Sequence, residues 1–373
     1  MRRPTLRGPR AAHAAGPSRG SRQNAWTGLF LAFVILVVAL DLATDRRWWI
    51  SVLLLVVPGL AAGVCSVSRT ALIGGSTVVA LVLLYGISPR YGGSPGDWLT
   101  ICSAAAVAAV GTVISRYRLR READLMRARV TLRALQRTVL QTLPLRTADV
   151  EVHGFYVPAE AEALVGGDIY GAVESPYGTR LLIGDVQGKG LDAIYAGAAV
   201  LSAFRESGYH LESLGAVADR LEEAVRRHNR RVVETGQPER FVTALLVEFT
   251  PDGPLSLVSR GHPSPLLVSG GRVAVADCPD PGPPLGLADL VSGPPAPWRL
   301  EPAPGDLLLL CTDGVLEARN GTGVFYPLPA RVAGLPRSDP SALVRGLRAD
   351  LERHAEGHLG DDAAALVVRR GGI

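Results

Sequence analysis

The chain has 373 residues, a formal net charge of +4 and a hydrophobic share of 47%. That length allows two or three folded units, and the hydrophobic share is high for a protein folded wholly in water. The charge is small and comes from arginines near the N-terminus, so nothing predicts a nucleic-acid partner. The four cysteines have neither CxxC nor Cys/His spacing, which excludes a zinc site of that kind and a disulfide framework.

Residues 1–24 carry six arginines among Pro, Gly, Ala and Ser, with almost nothing to bury. This composition predicts a disordered basic tail. A secretory signal is the competing interpretation, because a basic stretch precedes an apolar one. We discount it, since three more apolar segments follow the first one.

Residues 25–115 contain four apolar segments close to the length of about 20 residues that crosses a bilayer as a helix, though at the short end. They run over Trp26–Ala43, Trp48–Val64, Ala71–Ile87 and Trp98–Ser115. Tryptophans stand at the segment edges, where amphipathic rings prefer the membrane interface. We predict a four-helix transmembrane domain. The alternative is a set of buried helices in a soluble bundle.

The distribution of arginine predicts the orientation of this domain. Arginines are concentrated in the tail, the second loop and the stretch after the last span, and fewer lie in the other two loops. We therefore expect a multi-pass protein of the cell membrane with both termini cytoplasmic. Asp41 lies near the end of the first span, where an acid either reaches the interface or marks a ligand or ion site.

Residues 116–144 form an arginine-rich segment with no Gly or Pro before Pro144. Leu125, Leu132 and Val139 recur every seven residues, and so narrow an apolar stripe suits a two-stranded seam. We predict a signalling linker helix. Its apolar stripe could pair with that of a second copy of the chain as a coiled coil and so form a homodimer. The alternative is a helix packed on its own domain.

Residues 145–373 form the last predicted domain. Short apolar or β-branched runs bounded by Gly, Pro and Asp predict strands at Val150–Tyr156, Arg180–Ile183, Phe241–Phe249, Leu255–Ser259, Pro265–Val268, Asp306–Thr312 and Ala364–Arg369. Helices are expected at Leu191–Glu206, His210–Arg230 and Pro340–His354. Strands grouped at hairpin spacing, with helices between the groups, predict an α+β domain of two antiparallel sheets flanked by helices.

Two acids, Asp168 and Asp185, each follow a glycine and are joined by a hairpin that turns at residues 175–178. Paired strands bring both carboxylates to one end of a sheet. Asp313 and the pair Asp361 and Asp362 also lie at strand ends beside glycine. Such acids are hard oxygen donors suited to Mg²⁺ or Mn²⁺ if the sheet order gathers them. The alternative is ordinary turn punctuation.

The motifs in this part of the chain resemble those of a known family. The motifs are GGD with an aromatic residue two positions on, GDVxGKG, RFVTAL, GHPxPLL, PLGL, a GDLLLLxTDG run, and GDD before the last strand. Together they look like the SpoIIE-like bacterial branch of the PPM metal-dependent serine/threonine protein phosphatases, over about Gln136 to Arg369. The resemblance implies an α/β-β/α sandwich, in which two central antiparallel sheets have helices outside. It also implies a site for two or three Mn²⁺ or Mg²⁺ ions at one edge of this sandwich.

The resemblance also implies roles for individual residues. Asp185 would bridge the two ions and, with Asp168, serve catalysis. The metal ligands would be Asp168, Asp185, the backbone carbonyl of Val186, Asp313 and Asp361, with Asp362 close by. Hydrolysis would then use a water activated between the two metal ions and would need no phosphoenzyme.

The chain departs from the family pattern at three positions. Gly171 replaces a second acid, which suggests the loss of one outer or water-mediated metal contact. Gln187 replaces a common serine, and Ala364 stands where a threonine is usual. None of the three removes a proposed ligand.

Several other residues have two open interpretations. Lys189 either attracts a phosphate beside a helix N-terminus or belongs to a loop that packs under the sheet. His262 is either a general acid or a structural residue of a strand-end loop. Arg180 either contacts phosphate or is solvated beside a turn. Arg240 and Thr243 are expected to support the fold.

These observations predict a membrane-anchored phosphoprotein phosphatase that acts on phosphoserine or phosphothreonine of a cytoplasmic regulatory protein. By analogy alone, the substrate would be an anti-sigma-factor antagonist of the STAS type. The alternative is a catalytically weak or inactive phosphatase-like membrane receptor that binds a partner protein, a reading favoured by Gly171 and Ala364. A bundle whose main task is to bind a ligand is compatible with either.

Overall fold

The computed structural model describes residues 19–44, 50–87, 95–159, 167–250, 253–291, 293, 295–337 and 339–371. The side chains of residues 19–22, 86–87, 125 and 128–139 lie outside this description. The chain divides into two compact units, Met1–Arg127 and Ala128–Ile373. Residues 1–18 of the predicted basic tail are outside the described part. The remaining six are helical, because the first helix begins at Arg19.

In the part that the structure describes, the first unit is helical. It contains α1 (Arg19–Ala43), a 3₁₀ segment (Ile50–Val56), α2 (Val57–Val64), α3 (Val67–Val82), a π turn (Leu83–Ile87) and most of α4 (Pro95–Val139), which continues into the second unit. Within the described residues, three helices are long and apolar enough to cross a membrane: Gln23–Ala43, Val67–Tyr85 and Pro95–Asp124.

The second predicted segment, Trp48–Val64, contains the shorter apolar helix Ile50–Val64 within the described residues. A fourth span stays a prediction. Pro58 lies in the first turn of α2, where its missing N–H costs no helical hydrogen bond, and a 3₁₀ segment replaces the α-helical turns that would precede it. Trp48 and Trp49, predicted to stand at its edge, lie outside the described residues.

Asp41 is buried inside the first unit. Its Oδ1 accepts a hydrogen bond of 3.2 Å from the backbone N–H of Ser51. Both interpretations of Asp41, the membrane interface and a ligand or ion site, stay predictions.

The predicted linker is the continuation of α4, which runs without a break to Val139. The side chains of Leu125, Leu132 and Val139 are outside the described part of the chain. The coiled coil and the homodimer remain predictions.

The second unit contains two antiparallel sheets. The first has the order β1-β2-β11-β10-β7-β8 and the second has the order β3-β4-β5-β6-β9. The strands are β1 (Leu145–Arg146), β2 (Val150–Val157), β3 (Asp168–Ser175), β4 (Gly178–Val186), β5 (Val242–Phe249), β6 (Leu255–Arg260), β7 (Leu266–Ser269), β8 (Arg272–Val275), β9 (Trp298–Leu300), β10 (Leu307–Cys311) and β11 (Ala363–Arg370).

Helices cover the outer face of each sheet. They are α5 (Leu191–His210), α6 (Leu214–Glu234), α7 (Asp313–Leu316), α8 (Leu328–Ala333) and α9 (Pro340–His354). Phe204 of α5 and Leu221 of α6 pack against Leu182 of the second sheet, while Leu347 of α9 packs against Leu309 of the first. The predicted fold class, two antiparallel sheets flanked by helices and preceded by apolar helices, is confirmed.

A third core lies between the two sheets. Tyr170, Leu181 and Ile183 of the second sheet meet Leu308 and Leu310 of the first. Because side chains alternate between the faces of a strand, each sheet sends every second residue into this layer. The candidate site lies at one edge of it.

The seven predicted strands and three predicted helices all occur. Helix α9 has the predicted bounds, and the ends of the other elements are shifted. Helix α5 continues to His210, and α6 starts only at Leu214, where the Ser213 hydroxyl accepts the N–H of Ala216. The predicted start of that helix at His210 is therefore wrong, since a serine cap sets the start.

Candidate metal centre

Asp168 begins β3 and Asp185 stands directly opposite it near the end of β4. Tyr170 and Ile183, each two residues away from one of these acids, belong to the core between the sheets. With a period of two residues per strand, both aspartates project toward that same layer. The structure thus brings together the first two predicted site residues.

Asp168 is 2% exposed, and its carboxylate accepts a hydrogen bond of 2.8 Å from the hydroxyl of Thr312. Thr312 follows β10 of the other sheet, and its Oγ1 accepts the N–H of Ala364 at 3.0 Å. One threonine therefore ties Asp168 to the last two strands of the opposite sheet. The sequence interpretation missed this role, although Thr312 directly precedes the singled-out Asp313.

Mutual repulsion among the acids shows in their pKa values. Burial raises the pKa of Asp168 well above its usual range, and the charge of Asp185 adds to this. Burial, followed by the charges of Asp313, Asp361 and Asp362, raises the pKa of Asp185 to about 7. The four acidic stations thus lie within electrostatic reach of one another. Buried like charges of this kind suit a divalent cation, which would relieve the repulsion.

Asp313 is the third predicted ligand and forms the first residue of α7. Burial raises the pKa of its carboxyl, and the charge of Asp361 raises it further. Gly314, the next residue, has no space for a side chain, since a Cβ there would lie 1.8 Å from the backbone oxygen of Asp362. The TDG and GDD motifs are therefore in backbone contact.

Asp361 and Asp362 differ in environment. Asp361 is exposed and its Oδ1 pairs with the Lys189 ammonium at 2.8 Å. Asp362 is buried, and its two oxygens accept the hydroxyl of Tyr156 at 2.5 Å and the N–H of Ala159 at 2.7 Å. These bonds favour a supporting role for Asp362 over metal ligation.

Among the described residues, no three His, Cys, Asp or Glu side chains are grouped closely enough to hold a metal ion as they stand. The predicted ligand set also includes the backbone carbonyl of Val186, which is not a side chain. The assignment of Asp168, Asp185, Val186, Asp313 and Asp361 as ligands stays a prediction. Their negative charges fit a divalent ion, and one of them, the Asp361 carboxylate, is paired with the Lys189 ammonium.

A glycine keeps the space around the first two acids open. A Cβ at Gly167 would lie 2.2 Å from the carbonyl oxygen of Val186 and 2.6 Å from Oδ1 of Asp185. Any side chain there would displace a predicted ligand. The glycine before it lies outside the described residues.

Thr243 and His262 support Asp185 from behind. The Thr243 hydroxyl accepts the N–H of Asp185 at 3.2 Å and lies 3.0 Å from Nδ1 of His262. Burial lowers the pKa of His262 to about 3, although the nearby backbone of Cys311 acts in the opposite direction. This direction and the buried position of the ring favour the structural interpretation over the general-acid one.

Two arginines also have structural partners. Arg240 donates a hydrogen bond of 2.6 Å to the carbonyl of Gln187, which holds the loop after Val186 as expected. Arg180 is fully buried and pairs with Glu248 while donating to backbone carbonyls in the last turn of α5 and in the α5–α6 connection. Both predictions for Arg180, phosphate contact and solvation, are wrong.

The departure at Gly171 has a different meaning from the predicted one. A Cβ at Gly171 would lie 3.3 Å from Leu201 and 3.7 Å from Phe204 of α5. This position is three residues from Asp168 along β3, so it faces the opposite side of the sheet. A side chain there would enter the helix layer, and the predicted loss of an outer metal contact is wrong for this structure.

The sequence profile of one family matches this chain over residues 175–371, more than half of its length, and is described as Stage II sporulation protein E (SpoIIE). The chain belongs to the SpoIIE family. The SpoIIE match includes Asp185, Asp313 and Asp361, while Asp168 precedes it. The predicted resemblance to the SpoIIE family is confirmed.

Several solved structures are similar to this chain at low sequence identity. The RsbU and RsbW domains of a Mycobacterium tuberculosis protein are 21% identical, with 60% of each chain covered and a TM-score of 0.48. The PP2C phosphatase domain of SpoIIE from Bacillus subtilis, with a fragment of its regulatory domain, is 18% identical, with 61% of this chain and 66% of that chain covered and a TM-score of 0.48. The present chain thus spans less than two thirds of either relative. The catalytic domain of the serine/threonine phosphatase PstP, solved with two manganese ions, is 16% identical, with 61% of this chain and 100% of that chain covered and a TM-score of 0.46.

Proposed function

We propose that this chain is a membrane-anchored, Mn²⁺- or Mg²⁺-dependent protein serine/threonine phosphatase. Its substrate would be a phosphorylated cytoplasmic regulatory protein of the anti-sigma-factor-antagonist kind. The observation that carries the proposal is the position of Asp168 opposite Asp185, in a site where Asp313 and Asp361 add to the same negative field. Membership in the SpoIIE family supports the reaction class.

Asp168, Asp185, Asp313, Asp361 and the carbonyl of Val186 would hold the ions. When bound, two divalent ions would supply a nucleophilic water near neutral pH and neutralise the phosphoryl oxygens.

The protein's own groups would position these ligands. Thr312 fixes the rotamer of Asp168 through its 2.8 Å hydrogen bond, and Thr243 fixes the backbone of Asp185. Arg240 holds the loop that follows Val186. Hydrogen-bond partners of metal ligands commonly contribute 10- to 100-fold to metal affinity or activity.

Membrane anchoring rests on the first unit. Three of its described helices have the length and composition of spans, and the arginine pattern predicts cytoplasmic termini. With both termini on one side, the number of crossings is even, so the short Ile50–Val64 helix would serve as the fourth crossing. A dimer through the linker helix remains part of the proposal.

A second candidate function is a phosphatase-like receptor with weak or no catalysis. The ion pair between Lys189 and Asp361 favours it, because that pair occupies a predicted ligand. Gly171 no longer favours it, since its missing side chain would face α5.

Phosphate release by the full-length chain in lipid nanodiscs separates the two candidates. The substrates are a small aryl phosphate and a phosphoserine peptide, each assayed with Mn²⁺ and with a chelator. We expect Mn²⁺-dependent release by the wild type and a loss of at least about 100-fold in Asp185→Asn. Equal release by wild type and variant, with both folded by circular dichroism, would remove the enzyme claim and leave the receptor.

A further inference from the structure

A cleft of about 670 Å³ opens beside Asp313 in the second unit. We call it the His262 cleft. The residues that line it include His262, Thr243, Leu316, Leu328 and, from β8, Val275. The volume lies within the range of about 300–1,000 Å³ that is typical of ligand sites.

The cleft adjoins the candidate metal centre through two residues. Asp313 lines the cleft directly. Thr243 also lines it, and the Thr243 hydroxyl accepts a hydrogen bond from the backbone N–H of Asp185. A substrate whose phosphate lies at the acids would therefore have its neighbouring residues at the mouth of this cleft.

The walls of the cleft are apolar and reachable. Val275 is 45% exposed on the short strand β8, and Leu316 is half-buried. Leu328, which also lines the cleft, is buried. An apolar side chain that fills an exposed apolar cleft of this kind stabilises the complex, because apolar surface is removed from water.

The charge of the cleft limits what can enter. Its described lining contains the carboxylates of Asp277 and Asp313 and neither Lys nor Arg. A bound ion would offset Asp313, so an acidic residue beside the phosphate would meet the like charge of Asp277, which costs free energy. A neutral or basic segment with one apolar residue fits better.

We propose that the His262 cleft is a specificity subsite that takes an apolar side chain next to the phosphorylated Ser or Thr of the substrate protein. The segment that carries it has neutral or basic neighbours. This inference rests on the proposed function and adds a sequence preference to it.

The test uses the full-length chain in nanodiscs with Mn²⁺ and three substrates. They are a phosphoserine peptide with Leu at the flanking positions, the same peptide with Asp there, and a small aryl phosphate with no peptide. We expect the wild type to prefer the Leu peptide over the Asp peptide by about 10-fold or more in kcat/KM.

Two matched variants of β8 localise the effect. Val275→Lys places a cation inside the cleft, and Ala274→Lys places the same charge on the neighbouring exposed residue that does not line it. We expect Val275→Lys to lower kcat/KM for the Leu peptide about 10-fold and to lose the preference against Asp. Its rate on the aryl phosphate should stay within about twofold, and Ala274→Lys should match the wild type on all three substrates.

The outcomes distinguish the two proposals. If the wild type hydrolyses the aryl phosphate but shows no peptide preference, or if both variants keep the wild-type preference, the subsite is overturned and the phosphatase stands. A loss of Val275→Lys activity on the aryl phosphate equal to its loss on the Leu peptide also overturns the subsite. If the wild type releases no phosphate from any substrate with Mn²⁺, the proposed function fails and the subsite with it.

Discussion

Asp168 and Asp185 are direct partners across the β3–β4 pair, and Asp168 is almost completely buried. Opposite positions on antiparallel strands place Cβ atoms about 5 Å apart. Two carboxylates at that separation, away from water, cannot both be ionised without a compensating charge. Thr312 supplies one hydrogen bond to Asp168, which does not cancel a unit charge.

The pH dependence of stability follows from this pair. The pKa of Asp185 is raised from 3.8 to about 7, and a carboxyl whose pKa rises on folding contributes stability below its unfolded pKa that is lost as pH rises through the folded pKa. The metal-free protein should thus lose stability between about pH 4 and pH 7. Mn²⁺ binds the ionised form, so its stabilising effect should grow over the same window.

Thermal unfolding of the full chain in nanodiscs checks this, with and without Mn²⁺ at pH 5 and pH 8. We expect Mn²⁺ to raise the Tm by several degrees at pH 8 and by much less at pH 5. Asp185→Asn, which cannot ionise, should show a small Mn²⁺ effect at both pH values. An equal Mn²⁺ effect in the variant and the wild type would contradict the assignment.

Two glycines of the same region should respond differently to alanine. Gly167→Ala pushes a Cβ against the Val186 carbonyl and the Asp185 carboxylate, whereas Gly171→Ala meets Leu201 at 3.3 Å. We expect Gly167→Ala to lower Mn²⁺-dependent phosphate release more than about 10-fold and Gly171→Ala to stay within about threefold of the wild type. Comparable losses in both variants would mean that close packing, and not the site, sets the effect.

Thr243 should control metal affinity without touching the ion. Thr243→Val keeps the shape and removes the hydroxyl that accepts the Asp185 N–H, while Thr243→Ser keeps that hydroxyl. We expect the Mn²⁺ concentration for half-maximal phosphate release to rise about 10-fold in the valine variant and little in the serine variant. If the two variants respond alike, the methyl group and not the hydroxyl is what matters.

Two Arg–Glu pairs of the second unit should differ in their effect on stability. Arg180 is 0% exposed and pairs with Glu248, while the Arg146 side chain is 78% exposed and pairs with Glu151. Removing one member of a buried pair costs about 3–5 kcal/mol, whereas an exposed pair contributes about 0–1 kcal/mol.

Urea unfolding of Arg180→Met and Arg146→Met, followed by circular dichroism, measures this difference. We expect a large drop in the midpoint only for Arg180→Met. A small drop of similar size in both midpoints would contradict this expectation, because it would show that the surroundings of Arg180 adapt to its loss.

Local signals made part of the fold predictable. Helix α9 was predicted residue for residue, because Asp339 caps it by accepting the N–H groups of Ser341 and Ala342, and Pro340 follows at its first position. The β3–β4 hairpin was predicted from its Pro and Gly, and Gly178 indeed has a φ of 115°. Such features depend on neighbours in the chain.

The features that were missed depend on distant residues. The short strands β8 and β9, of four and three residues, carry too little periodic signal to identify. The hydrogen bond from Thr312 to Asp168 spans 144 positions and that from Tyr156 to Asp362 spans 206. Arg180 was misread because its carbonyl acceptors come from the last turn of α5 and the α5–α6 connection. No local pattern carries this information.

The central claim is that Asp168, Asp185, Asp313 and Asp361 surround shared divalent ions. Anomalous X-ray scattering at the manganese edge, from crystals of the full-length protein grown with Mn²⁺, tests it most directly. The account predicts two strong peaks a few ångströms apart, with an Asp185 oxygen between them and Asp361 released from Lys189. The absence of any peak among these four residues at saturating Mn²⁺, with the Lys189–Asp361 pair intact, would contradict it.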